Sequence, residues 1–73
     1  MGSKDIKLRS DEEFITLQSL LKITNTISTG GMAKIFLAEE TVLVNEEPEN
    51  RRGRKLYPGD VVQVSNQIFK IKK

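Results

Sequence analysis

The stretch TGGMAKIFLAEETVLVN, residues 29–45, changes its apolar period partway along and so decides the fold. Met32, Ile35 and Phe36 recur at the three- and four-residue spacing that lines one helix face, running toward Glu39. Ser28 or Thr29 can cap that helix, and Gly30 and Gly31 lie at its entrance. Beyond Glu40 the pattern is extended: Val42 and Val44 flank Leu43 in a short strand that breaks at Asn45, a residue suited to a tight turn. A helix feeding a strand within so short a span predicts an α+β domain.

Working toward the C-terminus, Pro48 and Gly53 bracket an irregular segment, and Pro58-Gly59-Asp60 is a strong turn signal. Val61 to Val64 resume as strand, and Ser65-Asn66-Gln67 separates them from Ile68 to Ile71, as in a hairpin. Phe36 and Phe69 are expected in the core, and Tyr57, beside a run of basic residues, is expected to pack on Pro58 in preference to stacking on a base. Toward the N-terminus, Leu17, Leu20 and Leu21 share a helical face, with Ile23 and Ile27 close to the same side and Lys22 outward. Thr16 is preferred as the cap over the Ser10 and Glu13 capping-box spacing, and Asn25 is the expected stop. Ile6 and Leu8 alternate with Lys7 and Arg9 as in a half-buried strand. The expectation is two packed helices against a small, mainly antiparallel sheet. It forms a single domain over residues 6–73, after a disordered start or expression-derived remnant over residues 1–5.

Seventy-three residues make one thin-cored domain. Hydrophobic residues at 37% and charged residues at 30% are too apolar for a disordered chain and too charged for a membrane span. The absence of cysteine excludes a disulfide framework and a thiolate metal site, and the absence of histidine removes the commonest general base. No nucleophile with an activating base remains, so an enzyme is not expected. A cytoplasmic location is the default, because neither a long apolar run nor a signal peptide occurs.

The net charge of +2 hides an uneven distribution. Glu39, Glu40, Glu46, Glu47 and Glu49 crowd one stretch, and Arg51, Arg52, Arg54 and Lys55 follow at once. Guanidinium forks match phosphate oxygens and keep their charge, and Gly53 would let the backbone come close, so this cluster is the leading candidate for binding a polyanion. The bland alternative pairs it with Glu46, Glu47 and Glu49 in a solvated network. Gly30 and Gly31 would aim free N–H groups at a phosphate, or else serve a positive-φ turn or close packing. Lys34 extends that face by one turn and Lys22 is a rim candidate, although exposed lysines need no special reason. Lys70, Lys72 and Lys73 read as guards against edge pairing. The glutamates lack a metal-loop spacing, so neither a metal nor a cofactor is expected.

Thr29, Ala33, Phe36, Leu37, Val42, Val44 and Asn45, followed by Gly59, Asp60, Val62 and Val64, resemble in order and spacing the alpha-L RNA-binding domain. That family is known from small-subunit ribosomal protein S-four, certain pseudouridine synthases and tyrosyl-tRNA synthetases, and the likeness covers about half the chain. Gly30 stands where the family has a helix-start Arg, and Glu40 and Glu46 stand where Gly is usual. The runs containing Gly30 to Lys34 and Asn50 to Leu56 are similar to small single-domain bacterial members of this fold. The resemblance implies a non-catalytic, monomeric domain that docks on structured RNA, with ribosomal RNA the expected ligand. Arg51, Arg52, Arg54, Lys55, Lys34, Gly30, Gly31 and Lys22 would form the contact, with no membrane and no small-molecule substrate involved. The competing class is a protein-interaction adaptor that uses its acidic and basic blocks.

Overall fold

The computed structural model describes residues 3–73. Strand β1 (Ser3–Lys7) comes first, followed by the two-residue β2 (Ile15–Thr16) and helix α1 (Leu17–Ile23). Helix α2 (Gly31–Glu39) leads into β3 (Val42–Val44) and β4 (Glu47–Pro48). β5 (Lys55–Leu56), β6 (Val61–Val64) and β7 (Gln67–Lys72) complete the order. Two helices thus accompany a mixed, mainly antiparallel sheet, an α+β fold.

Helix α1 begins and ends where its sequence dictates. Thr16 Oγ1 accepts the Ser19 N–H at 3.2 Å and satisfies one of the unpaired first-turn donors. At the other end the Thr26 N–H reaches the Leu21 carbonyl at 2.9 Å and the Asn25 N–H reaches that of Lys22 at 3.0 Å. This closure needs a left-handed residue after the C-cap, and Asn25 supplies it at φ 60°. Ser10 and Glu13 start no helix, since residues 9–12 instead close a turn through the Glu12 N–H and the Arg9 carbonyl at 3.0 Å.

Helix α2 departs from expectation in its cap and its buried face. Gly30 is the N-cap, without any side-chain hydrogen bond from Ser28 or Thr29. Ala33 and Leu37, one turn apart, face the core, whereas Met32 and Ile35 are 46% and 61% exposed and Phe36 is only partly buried. The apolar stripe is therefore displaced by one residue, about 100° around the axis. The small Ala33 side chain lets the helix backbone approach the core closely, and a fully buried Ala at that contact fixes the rotation. Ile23 is likewise exposed, because the turn at Asn25 carries Ile27 into the core in its place.

The main sheet has the order β1-β7-β6-β3-β4, antiparallel throughout except for the parallel pairing of β1 with β7. A separate ribbon pairs Ile15 with Leu56 and Thr16 with Lys55. Ser3, Lys4 and Asp5, expected in a disordered start, instead lie in β1 opposite Ile68, Phe69 and Lys70. The part of that expectation concerning Met1 and Gly2 falls outside the described residues. β7 is an interior strand, so Lys70 and Lys72 do not guard an edge, and Lys73 Nζ donates to the Glu12 carbonyl at 2.8 Å. Lys4 and Lys7 stand on β1, one of the two edge strands of this sheet.

Two turns set the site's surroundings. Asn45 and Glu46 join β3 to β4 with φ of 52° and 70°, the double left-handed conformation of a type I′ hairpin. Pro58 and Gly59 occupy the corner of residues 57–60, closed by the Asp60 N–H to the Tyr57 carbonyl at 2.9 Å, with Gly59 at φ 99°. Leu17, Leu20 and Leu21 from α1, Leu37 from α2, and Val62, Phe69 and Ile71 from the sheet share one core cluster. Leu56 belongs to it with no exposed surface, which anchors the downstream end of the Arg-rich segment.

Candidate nucleic-acid interface

The cationic residues occupy a loop between β4 and β5 that is tied down along its backbone. Upstream, the Glu49 N–H donates to the Val42 carbonyl at 2.8 Å. Downstream, Lys55 and Leu56 pair with β2. Between these points the Arg54 N–H meets the Arg51 carbonyl at 3.2 Å, which puts Arg52 and Gly53 at the corner of a turn. The first N–H groups of a helix lack partners within it. Here the Leu17 N–H donates to the Arg54 carbonyl at 2.8 Å and the Gln18 N–H to the Arg52 carbonyl at 2.9 Å. The loop thus caps α1 with its own carbonyls.

Glu49 organises the arginines. Its side chain is only 7% exposed, against the solvated position expected for it. It accepts from the Arg51 N–H at 3.0 Å, from Arg51 Nε at 2.9 Å and from Arg54 at 2.9 Å. The Arg51 guanidinium beside it is the main reason its carboxyl is lowered to about 2, burial opposing and the Arg54 bond reinforcing the shift. Glu46 and Glu47 are exposed and form no ion pair among the described residues, so the anticipated acid–base network reduces to Glu49 with Arg51 and Arg54. The four cations of residues 51–55 outnumber the one carboxylate that pairs with them, Glu49. Arg52 is exposed at the corner without an ion pair among the described residues.

The other expected contacts are distributed around this loop. Gly30 has φ −61° and ψ −30°, so no positive-φ turn requires it. A Cβ there would come to 2.5 Å of Gln18 Nε2, which identifies close packing of the α2 entrance against α1. Gln18 therefore touches both parts of the candidate surface, Arg52 through its N–H and Gly30 through its side chain. Gly31 and Lys34 are exposed on α2, and Lys22 lies one turn beyond Gln18 on α1. Among the described residues, no ion pair or side-chain hydrogen bond draws Lys22 or Lys34 to the loop. A Cβ on Gly53 would meet nothing within 4 Å, so that corner is open.

Two aromatic rings border the loop. The Tyr57 ring lies 5.5 Å from that of Phe14 at an interplanar angle of 48°. Lys55 Nζ stands 5.1 Å above the Phe14 ring, a cation–π geometry. The sequence pointed to Glu49 only as one of three solvated partners of the basic block, and to neither Gln18 nor Phe14 as part of the site. For Glu49 a signal existed, since residues two apart in an extended chain share a face and Glu49 precedes Arg51 by two. For Gln18 and Phe14 none did.

Among the described residues, no helix is long and apolar enough to cross a membrane, and no group of three carboxylates gathers to hold a metal. An α+β scaffold presenting a cationic loop, pinned by its backbone with charged side chains outward, defines a class of small domains with a surface suited to polyanions. The chain belongs to the S4 domain family, whose model matches residues 6–72. It is similar to a Bacillus subtilis (strain 168) protein named "Probable ribosome maturation protein RlbA", with 63% identity over 54 residues, 74% of this chain and 76% of that protein. No solved structure matches.

Proposed function

We propose that the chain is a non-catalytic RNA-binding domain that docks on structured RNA, ribosomal RNA first of all, through loop 51–55 and the start of α2. The observation that carries this reading is the exposed Arg52 on a backbone already immobilised by α1. Phosphate contacts made from such a loop cost little ordering entropy, and they draw a polyanion to a surface of defined shape. Membership of the S4 domain family and the relative's name as a probable ribosome maturation protein support an RNA of the ribosome as the ligand. A monomer working in the cytoplasm accords with this role.

Crosslinking in cells followed by sequencing of the attached RNA tests it. Enrichment of ribosomal RNA supports the reading. Recovery of no RNA, together with a protein partner whose co-purification survives RNase and moderate salt, would establish the adaptor reading instead. That alternative is weakened by the Glu49 pairs, which match part of the acidic block to the basic block inside the chain itself.

A further inference from the structure

Charge docking leaves one feature of this surface unused. Tyr57 is 47% exposed and stands on an open cleft of about 650 Å³, walled otherwise by Arg51, Gly53, Arg54, Lys55 and Asp60, whose two carboxylate oxygens already accept from the Tyr57 N–H and from Asn45 Nδ2. That volume falls within the roughly 300–1,000 Å³ of small-ligand sites. An aromatic face open to water beside three cations has the chemistry to receive a flat base joined to a phosphate. The arginines still have donors to offer. Arg51 gives Glu49 its Nε and one terminal nitrogen, and Arg54 gives it one terminal nitrogen, out of five N–H donors in each guanidinium.

The Tyr57 backbone is fixed, and its ring supported on one side, before any ligand arrives. The Tyr57 N–H donates to one Asp60 carboxylate oxygen at 2.8 Å, and Asn45 Nδ2 donates to the other at 3.1 Å. Phe14 supports the ring from the side, and Lys55 in turn covers Phe14. A pre-positioned aromatic loses little freedom on stacking a base.

We propose that this cleft seats one unpaired nucleotide of the bound RNA, its base stacked on Tyr57 and its phosphate held by Arg54 and Lys55. The inference rests on the RNA-binding reading above and specifies its ligand as RNA carrying an extruded base. A continuous duplex keeps its bases stacked inside and offers this surface only phosphates. Loop charge then supplies affinity, and the cleft distinguishes a bulge or loop from a plain stem.

The test uses two hairpin RNAs with the same stem, one carrying a single bulged adenosine and one fully paired, titrated with the intact chain and with Tyr57→Phe and Tyr57→Ala. The intact chain and Tyr57→Phe should prefer the bulged hairpin by about tenfold, the effect of one base–aromatic stack. Tyr57→Ala should lose that preference while binding the paired hairpin within about twofold of the intact chain, which also reports that it is folded. Equal affinity of the intact chain for both hairpins, or a preference that survives in Tyr57→Ala, overturns the proposal. Failure of the RNA-binding reading looks different: neither hairpin binds, and both proposals fall together.

Discussion

The backbone N–H of Gln18 donates to the carbonyl of Arg52 at 2.9 Å, so the exposed arginine of the loop that forms no ion pair among the described residues has its own peptide group locked to the start of α1. The bond satisfies a helix N–H that would otherwise be unpaired. It also divides labour within Arg52, whose backbone is structural and whose side chain is left for a ligand. Gln18 packs its side chain on Gly30 as well, which couples the loop and the α2 entrance through one residue.

Arg52→Ala should therefore weaken RNA binding without disturbing the fold. Loss of one phosphate contact reduces the steepness of the log–log salt dependence by roughly 0.7 for a single strand. Titrations at several salt concentrations, with circular dichroism as the control, check this. An unaltered affinity and slope would remove Arg52 from the interface.

Glu49→Gln keeps the shape of the side chain but removes the charge that Arg51 and Arg54 share. Both arginines are partly solvated and recover hydration, which limits the loss. The expected result is a fall in Tm of roughly 4–8 °C, read by thermal denaturation. RNA affinity measured well below that Tm should fall less than in Arg52→Ala, because two guanidiniums become free while the loop loosens. A greater loss of affinity than in Arg52→Ala would mean that the clamp, more than the exposed charge, makes the surface.

The same carboxylate predicts an acid dependence. Its folded pKa is about 2, below the ordinary 4.5, so the unfolded chain binds the proton more readily. The stability this contributes is fully present above about pH 4.5 and is lost as pH falls toward about 2. Denaturant midpoints across that window should decline less steeply in Glu49→Gln than in the intact chain. Parallel profiles would show that Glu49 does not carry the dependence.

Glu46→Gly should stabilise the domain. Glu46 sits at φ 70° in the β3–β4 hairpin, where a side chain costs roughly 1–2 kcal/mol and glycine does not. The greater entropy of glycine in the unfolded chain offsets part of that, leaving a gain of about 0.5–1 kcal/mol in chemical denaturation. Glu40, the other glutamate at a position where Gly was expected, has φ −118° and carries no such strain.

The elements that could be read from the sequence are those fixed by nearest neighbours. Thr16 caps α1 and Asn25 ends it because each acts on backbone groups within a few residues. Val42–Val44 and the turn at Pro58 and Gly59 are equally local. The rotation of α2 was not legible, because Met32, Ile35 and Phe36 on one side and Ala33 and Leu37 on the other both satisfy a helical period. Only the packed core chooses the face that lets the backbone come nearer.

For the candidate site, residue types and charge alone located the block from Arg51 to Lys55, and composition alone left packing as the sole support of the fold. Tertiary structure decided the rest: which arginines Glu49 would hold, which carbonyls would cap α1, and which ring would face the cleft. The parallel pairing of β1 with β7 has the same origin. Caps and turns act over a few residues, so the chain specifies them locally; ion pairs, close packing and strand partners depend on distances that exist only after segments far apart in sequence have come together.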